Sequence, residues 1–370
     1  MSNEFREFLR KVGSGTHTSK SLTRQEAGRA TIMMLQGEAT PAQIGAFMIA
    51  HRIKRPTSEE LAGMLDAYKL LGPKVTQIAS KKQVLVLGSP YDGRSRTAPI
   101  SPATAIVLAA AGIPVLMHGG DRMPTKEGLP FIEIWQALGL NWQNLEIAQV
   151  QQNLEIHNLG FVYLPKHFPL AQTLVPYRDQ IGKRPPFATL ELMWSPYQGS
   201  QSIVSGFVHP PTETNIRDAF ASHDITEFTT VKGWEGSVDL PRSRTTIIGV
   251  NHGDLFERLT LSARQYGFSS EDVAIADACE IGTKIISAFK AEPSEYLNSV
   301  LWNSGFYLWL YGLDSEIENA IAHAKEIISN GAAMQRLQDL RNYRTSCKKQ
   351  CFTIVAIHEL PLHFIVLRKS

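Results

Sequence analysis

The sequence predicts an α/β protein in which a small all-helical N-terminal domain precedes a larger domain with a mostly parallel central sheet flanked by helices. Two observations carry this prediction. Three helix-start signals occur before residue 73, and the apolar spacing of three and four then gives way to a continuous apolar run at 84–87. The 370 residues exceed what one hydrophobic core usually serves, so two domains are expected.

Residues 1–73 form the predicted helical domain, and its helix starts carry recognisable caps. Thr23 is followed three residues later by Glu26, which predicts a capping box that satisfies the first backbone N–H groups of a helix. Thr40 precedes a proline at the first helical position, where the missing N–H costs nothing, and Thr57 opens a third helix. Apolar residues recur every three or four positions after each cap, so each helix offers one face to a shared core.

Residues 74–344 form the predicted α/β domain, which begins with a strand–helix–strand unit. The predicted strands are 84–87, 113–117, 159–163, 203–208, 229–233 and 244–250, the last completing the series. The predicted helices are 103–112, 131–138, 294–313 and 315–340. The segment from about 165 to 195 is expected to add a later helical contribution to the small domain, and 345–370 is an appendix of unknown packing.

Composition and charge bear on the partners and the cellular setting of the protein, but they do not identify its function. Lysine and arginine number 37 and aspartate and glutamate 35, an excess too small by itself to indicate nucleic acid or a membrane surface. Three cysteines at no framework spacing indicate a reducing, cytoplasmic setting. No apolar run reaches about 18 residues, so no membrane span is expected.

The first candidate site is the loop that follows the strand 84–87. It contains Gly88, Asp92 and Gly93, and it leads to a helix start with hydroxyls at Ser101 and Thr104. Backbone N–H groups and the helix dipole at such a position favour a phosphate, and Asp92 suits a magnesium ion bridging to a diphosphate. An equally weighted interpretation makes the glycines and Asp92 turn residues and Ser101 a helix cap.

Two further segments follow predicted strands and are expected at the same edge of the sheet. His118 is placed to contact a substrate and Arg122 or Lys126 to neutralise phosphate, although a histidine at a strand end is more often structural. Glu235 and Asp239 bring two carboxylates to a turn and are the candidate ligands of Mg²⁺, with a solvated turn as the alternative.

The order of these motifs resembles the anthranilate phosphoribosyltransferase family, also called glycosyltransferase family three, over about residues 1–344. The matching features are the capped helices, the glycine loop, the Ile-Ser helix start, the His-Gly strand end, His-Phe-Pro-Leu at 167–170, and Gly-x-Glu-Gly at 233–236. The resemblance implies a nucleoside phosphorylase/phosphoribosyltransferase type of fold and a homodimer formed through the helical domain. It also implies that phosphoribosyl pyrophosphate binds with magnesium between the domains.

Carried over residue by residue, the resemblance is incomplete. The family loop Gly-Thr-Gly-Gly-Asp-Gly corresponds to Gly88-Ser89-Pro90-Tyr91-Asp92-Gly93, in which proline has no N–H for a pyrophosphate and tyrosine lacks the backbone freedom of glycine. Met117 replaces a phosphate-binding lysine, and only Asp239 remains of an acidic pair. Arg178 matches the arginine that meets the anthranilate carboxylate, and His167 fits the adjacent histidine pattern. This pattern resembles the divergent second-copy paralogues of the enzyme.

Two functions of different classes follow from the resemblance. The first is transfer of phosphoribosyl from phosphoribosyl pyrophosphate to an aromatic nitrogen acceptor, with altered substrate or reduced activity. The second is a non-catalytic paralogue that binds single-stranded nucleic acid on the same dimeric scaffold. The basic clusters available for the second function are Arg52-Lys54-Arg55, Lys183-Arg184, Arg242-Arg244 and Lys348-Lys349. Each cluster taken alone is more often a solvated face.

Overall fold

The computed structural model describes residues 3–15, 17–80 and 82–343, so the predicted appendix 345–370 lies outside the described residues. The N-terminal domain begins with four helices: α1 (Asn3–Gly13), α2 (Arg24–Leu35), α3 (Pro41–Lys54) and α4 (Ser58–Leu71). The predicted caps are confirmed, because Thr23, Thr40 and Thr57 each form a complete capping box at the start of α2, α3 and α4.

The four helices pack around one core and are tied by a buried glutamate. Glu60 is fully buried in α4 and accepts hydrogen bonds from the backbone N–H groups of Leu22 and Thr57 at 2.9 and 2.8 Å. Lys54 Nζ donates to the same carboxylate at 2.8 Å, and His51 Nε2 lies 3.4 Å from it. One side chain therefore serves the cap of its own helix and also joins α3 and the segment before α2.

A seven-stranded sheet forms the centre of the larger domain, in the order β3-β2-β1-β4-β5-β6-β7. The strands are β1 (Val84–Leu87), β2 (Val115–Gly119), β3 (Leu159–Tyr163), β4 (Gln201–Gly206), β5 (Glu227–Val231), β6 (Thr246–His252) and β7 (Leu255–Leu261). The first five strands run parallel to one another. Strand β6 pairs antiparallel with β5, and β7 pairs antiparallel with β6. The mostly parallel sheet is confirmed, but the prediction that 244–250 ends the series is wrong because β7 follows it.

The remaining helices surround this sheet. They are α5 (Ser101–Ala110), α6 (Phe131–Ala137), α7 (Ile147–His157), α8 (Leu164–His167), α9 (Pro169–Gln172), α10 (Val175–Ile181), α11 (Phe187–Met193), α12 (Pro210–Ala221), α13 (Ala278–Phe289), α14 (Glu295–Leu310) and α15 (Ile317–Ser329). Residues 332–343 are also helical. The single helix predicted over 315–340 is wrong, because the chain turns at Asn330 and Gly331, whose φ is 82°.

The topology places several loops side by side. The parallel strands β1, β2, β4 and β5 end at one edge of the sheet, where the chain continues into the segments 88–100, 120–130, 207–209 and 232–245. The segment that joins α10 to α11 belongs to helices that pack against α3 and α4 of the N-terminal domain. The carboxyl edge of the sheet thus faces the helical domain, which is the usual position of a ligand site in an open α/β sheet. Among the described residues, no helix has the length and apolar character to cross a membrane.

Candidate functional site: a basic cleft between the domains

A cleft of about 800 Å³ lies between the end of α3 and the loops at the carboxyl edge of the sheet. Seven basic side chains line it, and we call them the cleft cations: Arg52, Arg55, Arg96, Lys126, Arg184, Lys232 and Arg244. Among the described residues that line the cleft, only Glu235 carries a carboxylate. The excess of positive charge makes the cleft a site for anions.

Glu235 lowers this excess by one charge, because it is paired with one of the seven cleft cations, Lys126. Its carboxylate lies 2.6 Å from Lys126 Nζ and accepts hydrogen bonds from the backbone N–H groups of Ser95 and Arg96 at 3.2 and 3.0 Å. Burial alone would raise the pKa of Glu235, but the hydrogen bond and charge of Lys126 and the hydrogen bonds from Ser95 and Arg96 together outweigh burial and lower the pKa to about 2. Glu235 therefore stays ionised and holds Lys126 in place.

Asp239 lies behind the cleft wall and is paired in the same way. Arg94 Nη1 donates to its Oδ2 at 2.7 Å, Ile100 N donates to the same oxygen at 3.1 Å, and Ser101 Oγ donates to Oδ1. Arg94 is only 2% exposed and also reaches Glu235, with Nε 3.4 Å from Oε1. Arg94 thus joins the loop after β1 to the turn at Glu235.

These contacts decide how well the predicted magnesium ligands suit a metal ion. All four carboxylate oxygens of Glu235 and Asp239 already contact an N–H, hydroxyl or ammonium donor. Magnesium requires close to octahedral oxygen ligation, and cationic donors at these positions oppose it electrostatically. The two residues as placed do not fit a magnesium site. Groups of three or more His, Cys, Asp or Glu side chains suited to a metal are likewise absent from the described part of the chain.

The loop after β1 has a closely packed backbone, and several of its side chains are buried. A Cβ at Gly88 would lie 2.4 Å from Leu192 O, so the backbone packs there without room for a side chain. Asp92 is fully buried, and Arg184 Nε approaches Oδ2 to 2.7 Å, although neither carboxylate oxygen has a hydrogen bond of good geometry within the described residues. Gly93 adopts a φ of 70°, which favours glycine.

His118 is buried against aromatic side chains at the end of β2. Its Nδ1 lies 2.6 Å from the hydroxyl oxygen of Tyr91, and its ring packs edge-on against Trp194. Burial lowers the pKa of His118 to about 4, so the imidazole is neutral near pH 7. Tyr91, the residue that replaces an inner glycine of the loop motif, therefore occupies the space beside His118.

Arg178 and His167 are also held by protein groups. Arg178 is 4% exposed and donates to the carboxylate of Glu191 on α11. His167 Nδ1 accepts a hydrogen bond from Tyr163 N at 2.9 Å, and its Nε2 lies 2.8 Å from Leu145 O. Thr104 is buried, and its hydroxyl has no hydrogen-bond partner among the described residues.

The structure brings some of the predicted site residues together and separates others. Lys126 and Glu235 line the cleft. Asp239 accepts hydrogen bonds from both Arg94 and Ser101, outside the cleft lining. The residues that do not line the cleft are Gly88, Asp92, Gly93, Thr104, His118, His167 and Arg178. Their roles in substrate binding stay predictions.

The sequence interpretation missed three cations that matter here: Arg94, Arg96 and Lys232. Arg94 and Arg96 follow the last glycine of the loop motif, which is the signal that could have found them. Of the predicted basic clusters, those at 52–55, 183–184 and 242–244 each contribute at least one arginine to the cleft lining. Arg242 does not line the cleft, because it is buried and pairs with Glu295 at 2.7 Å.

A helical bundle joined to a mostly parallel sheet, with an anion-attracting cleft where they meet, defines a class of two-domain α/β folds with an interdomain ligand site. Residues 6–70 match the helical bundle domain of a glycosyl transferase family, and residues 92–334 match its α/β domain. The second match covers more than half of the chain. The chain belongs to this glycosyl transferase family, which confirms the predicted family and fold class.

Relatives of known name match most of the chain. An anthranilate phosphoribosyltransferase of Acetivibrio thermocellus is 28% identical over 344 residues, which are 92% of this chain and 97% of the relative. The corresponding protein of Ralstonia pickettii is 27% identical over 317 residues, 83% of this chain and 89% of the relative.

Solved structures show the same fold. Anthranilate phosphoribosyltransferase from Saccharomyces cerevisiae in complex with phosphoribosyl pyrophosphate and Mg aligns with a TM-score of 0.79 at 16% identity, covering 94% of this chain and 99% of that one. The enzyme from Thermus thermophilus aligns with a TM-score of 0.76 at 18% identity, covering 92% and 99%. At these identities the likeness concerns the fold alone.

Proposed function

We propose that this chain is a divergent, second-copy member of its family that binds the phosphate backbone of single-stranded nucleic acid in the basic cleft. The observation that carries the proposal is the convergence of the seven cleft cations from both domains onto one surface, where the described residues place a single, already paired carboxylate. Each predicted cluster taken alone is more often a solvated face. The seven cleft cations together line one basic groove, and such a groove is common in proteins that track a single strand.

The state of the inherited ligand positions supports this proposal over the family reaction. Pro90 offers no N–H to a pyrophosphate, and Tyr91 is buried against His118. Arg178, the counterpart of the arginine that meets an anthranilate carboxylate, is neutralised by Glu191. A new carboxylate ligand would have to displace this buried partner, which costs several kcal/mol when the remaining charge is left unpaired.

The direct test is fluorescence anisotropy with a labelled single-stranded oligonucleotide of about 15 nucleotides, close to the upper site size of known single-strand binders. We expect saturable binding at low salt that weakens about tenfold or more in the double variant Arg96→Ala/Lys232→Ala. The matched control is Arg264→Ala, an exposed arginine outside the cleft lining. Absence of binding at low salt would end the proposal.

Phosphoribosyl transfer to an aromatic nitrogen acceptor, with altered substrate or reduced activity, is the second candidate. The observation that favours it is the retained frame of the site: the tight backbone at Gly88 and Gly93 and the Ser101 hydroxyl at the start of α5. In this reaction the bond from ribose C1 to pyrophosphate breaks, the acceptor nitrogen bonds to C1, and the nitrogen loses a proton. Phosphoribosyl pyrophosphate, with Mg²⁺, is the substrate this candidate requires.

Calorimetric titration distinguishes the two candidates on one protein sample. The transferase candidate predicts a saturable heat with phosphoribosyl pyrophosphate and magnesium that weakens in Asp92→Ala. A flat titration at about millimolar ligand, where the binding free energy is only about −4 kcal/mol, would contradict it.

We further propose that the chain forms a homodimer through its helical domain. The support is a groove of about 750 Å³ formed by α1, α3 and α10, lined by Val12, Ala46, Ile49, Ile53 and Ile181. Ile53 is 70% exposed, so burying it in an interface would be favourable.

A further inference from the structure

Arg94 is a buried arginine that lies outside the cleft lining and contacts two carboxylates. It follows Gly93 in the loop after β1, is 2% exposed, and lies between two carboxylates that come from a turn about 140 residues later in the chain. Its Nη1 donates to Asp239 Oδ2 and to Ser237 Oγ, both at 2.7 Å. Its Nε lies 3.4 Å from Glu235 Oε1, and its Nη2 donates to Thr97.

Four side chains direct oxygen atoms at this guanidinium, and we call them the oxygen cage: Thr97, Glu235, Ser237 and Asp239. Two carboxylates and two hydroxyl oxygens face one cation, which is the donor chemistry that proteins otherwise use for a hard divalent metal ion. Lys126 supplies a second positive charge 2.6 Å from Glu235. The charges balance: two carboxylates of −1 are matched by two side chains of +1, as they would be by one ion of charge +2.

We propose that Arg94, with Lys126, permanently occupies the position of a divalent cation, so that this turn is a metal-free site held together by an internal guanidinium. The arginine is covalently part of the loop after β1, so it joins that loop to the turn at Glu235 without a dissociable ion. A guanidinium suits this role because its planar N–H donors reach several acceptors at once and it stays protonated when buried.

The arrangement also changes what an anion meets in the cleft. A bound metal would offer open coordination positions to phosphate oxygens, whereas Arg94 directs its donors to the protein and is almost fully covered. Arg94 is therefore a positioning residue, and the exposed cleft cations are left to contact the ligand. This role of Arg94 is the same whichever anion the cleft binds.

The test measures Mn²⁺ binding by the loss of the electron paramagnetic resonance signal of free Mn²⁺, with no phosphate ligand present. We expect the wild-type chain to bind no Mn²⁺ saturably up to about 1 mM, the weak end of the range for protein oxygen sites. Arg94→Ala vacates the cage and is expected to bind Mn²⁺ at least about tenfold more tightly than wild type. Adding Asp239→Asn to Arg94→Ala should remove that gain.

Saturable binding of one Mn²⁺ per chain by the wild-type protein would overturn the proposal. This measurement uses only the wild-type protein, so it can refute the proposal even if Arg94→Ala does not fold. An Arg94→Ala chain that folds, as judged by circular dichroism and cooperative thermal unfolding, and still binds no more Mn²⁺ than wild type would overturn it as well. Because no nucleic acid or phosphate is used, these outcomes are independent of the function proposed for the cleft.

Discussion

The salt dependence of nucleic-acid binding is the sharpest quantitative consequence of the cleft. Two of the seven cleft cations are already paired with carboxylates, Lys126 with Glu235 and Arg184 with Asp92. The five that have no carboxylate partner among the described residues are Arg52, Arg55, Arg96, Lys232 and Arg244. If each of them contacts one phosphate, the slope of log Kobs against log salt for a single strand is about −3.5. A fourfold rise in salt should then weaken binding about 100-fold.

Replacing one of these five cations tests directly whether each of them contacts one phosphate. Arg96 is exposed, and its backbone N–H rather than its side chain contacts Glu235, so Arg96→Ala leaves that pairing in place. We expect Arg96→Ala to reduce the magnitude of the slope by about 0.7, while the control Arg264→Ala leaves it unchanged. Anisotropy titrations at four or more salt concentrations measure the slope. A wild-type slope near zero, or an equal change in the control, would refute the reasoning.

Three further predictions concern stability, assembly and metal dependence. Burial raises the pKa of Glu60, but contacts with His51, Lys54 and the backbone N–H of Thr57 together outweigh burial and lower the pKa from 4.5 to about 2. Glu60 therefore adds stability that is present above pH 4.5 and lost as the pH falls through 2. Urea unfolding at a series of pH values should show a loss of up to ~3 kcal/mol that is absent in Glu60→Gln. Ile53→Glu in the apolar groove of the helical domain should shift a dimer to a monomer in light scattering, and an unchanged mass would contradict the proposed interface. Oligonucleotide binding should be at least as tight in EDTA as in Mg²⁺, because Mg²⁺ competes with the cleft cations for phosphate, and a requirement for Mg²⁺ would argue for a bridging metal.

Elements defined by neighbouring residues could be predicted from the sequence. The caps at Thr23, Thr40 and Thr57 were found because a capping box closes within one turn, and the buried strand at 84–87 because its apolar run is continuous. The strand β7 was missed because it is an edge strand whose residues are mostly exposed, so its apolar pattern is weak. The break at Gly331 was missed because both flanking segments have the same helical spacing.

The candidate site was only partly predictable, since its chemistry depends on pairs that are distant in the chain. The sequence singled out Glu235 and Asp239 as metal ligands from their type and spacing, which would suit a metal. The position of Arg94 after the loop motif marks it as a cation near the site, but its contacts with both carboxylates depend on the tertiary structure. Arg178 likewise reads as a free cation until Glu191 is placed beside it.

The sequence by itself determined the family, the fold class and the identity of the replaced motif residues, such as Pro90 and Tyr91, because these follow from residue types and local spacing. The tertiary structure decided which charges are available. The near-neutral net charge of +2 conceals a cleft where basic residues from both domains converge, and a turn where two carboxylates are neutralised by Arg94 and Lys126. The reason is that electrostatic energy depends on distance and burial in space, and the sheet topology brings these segments together.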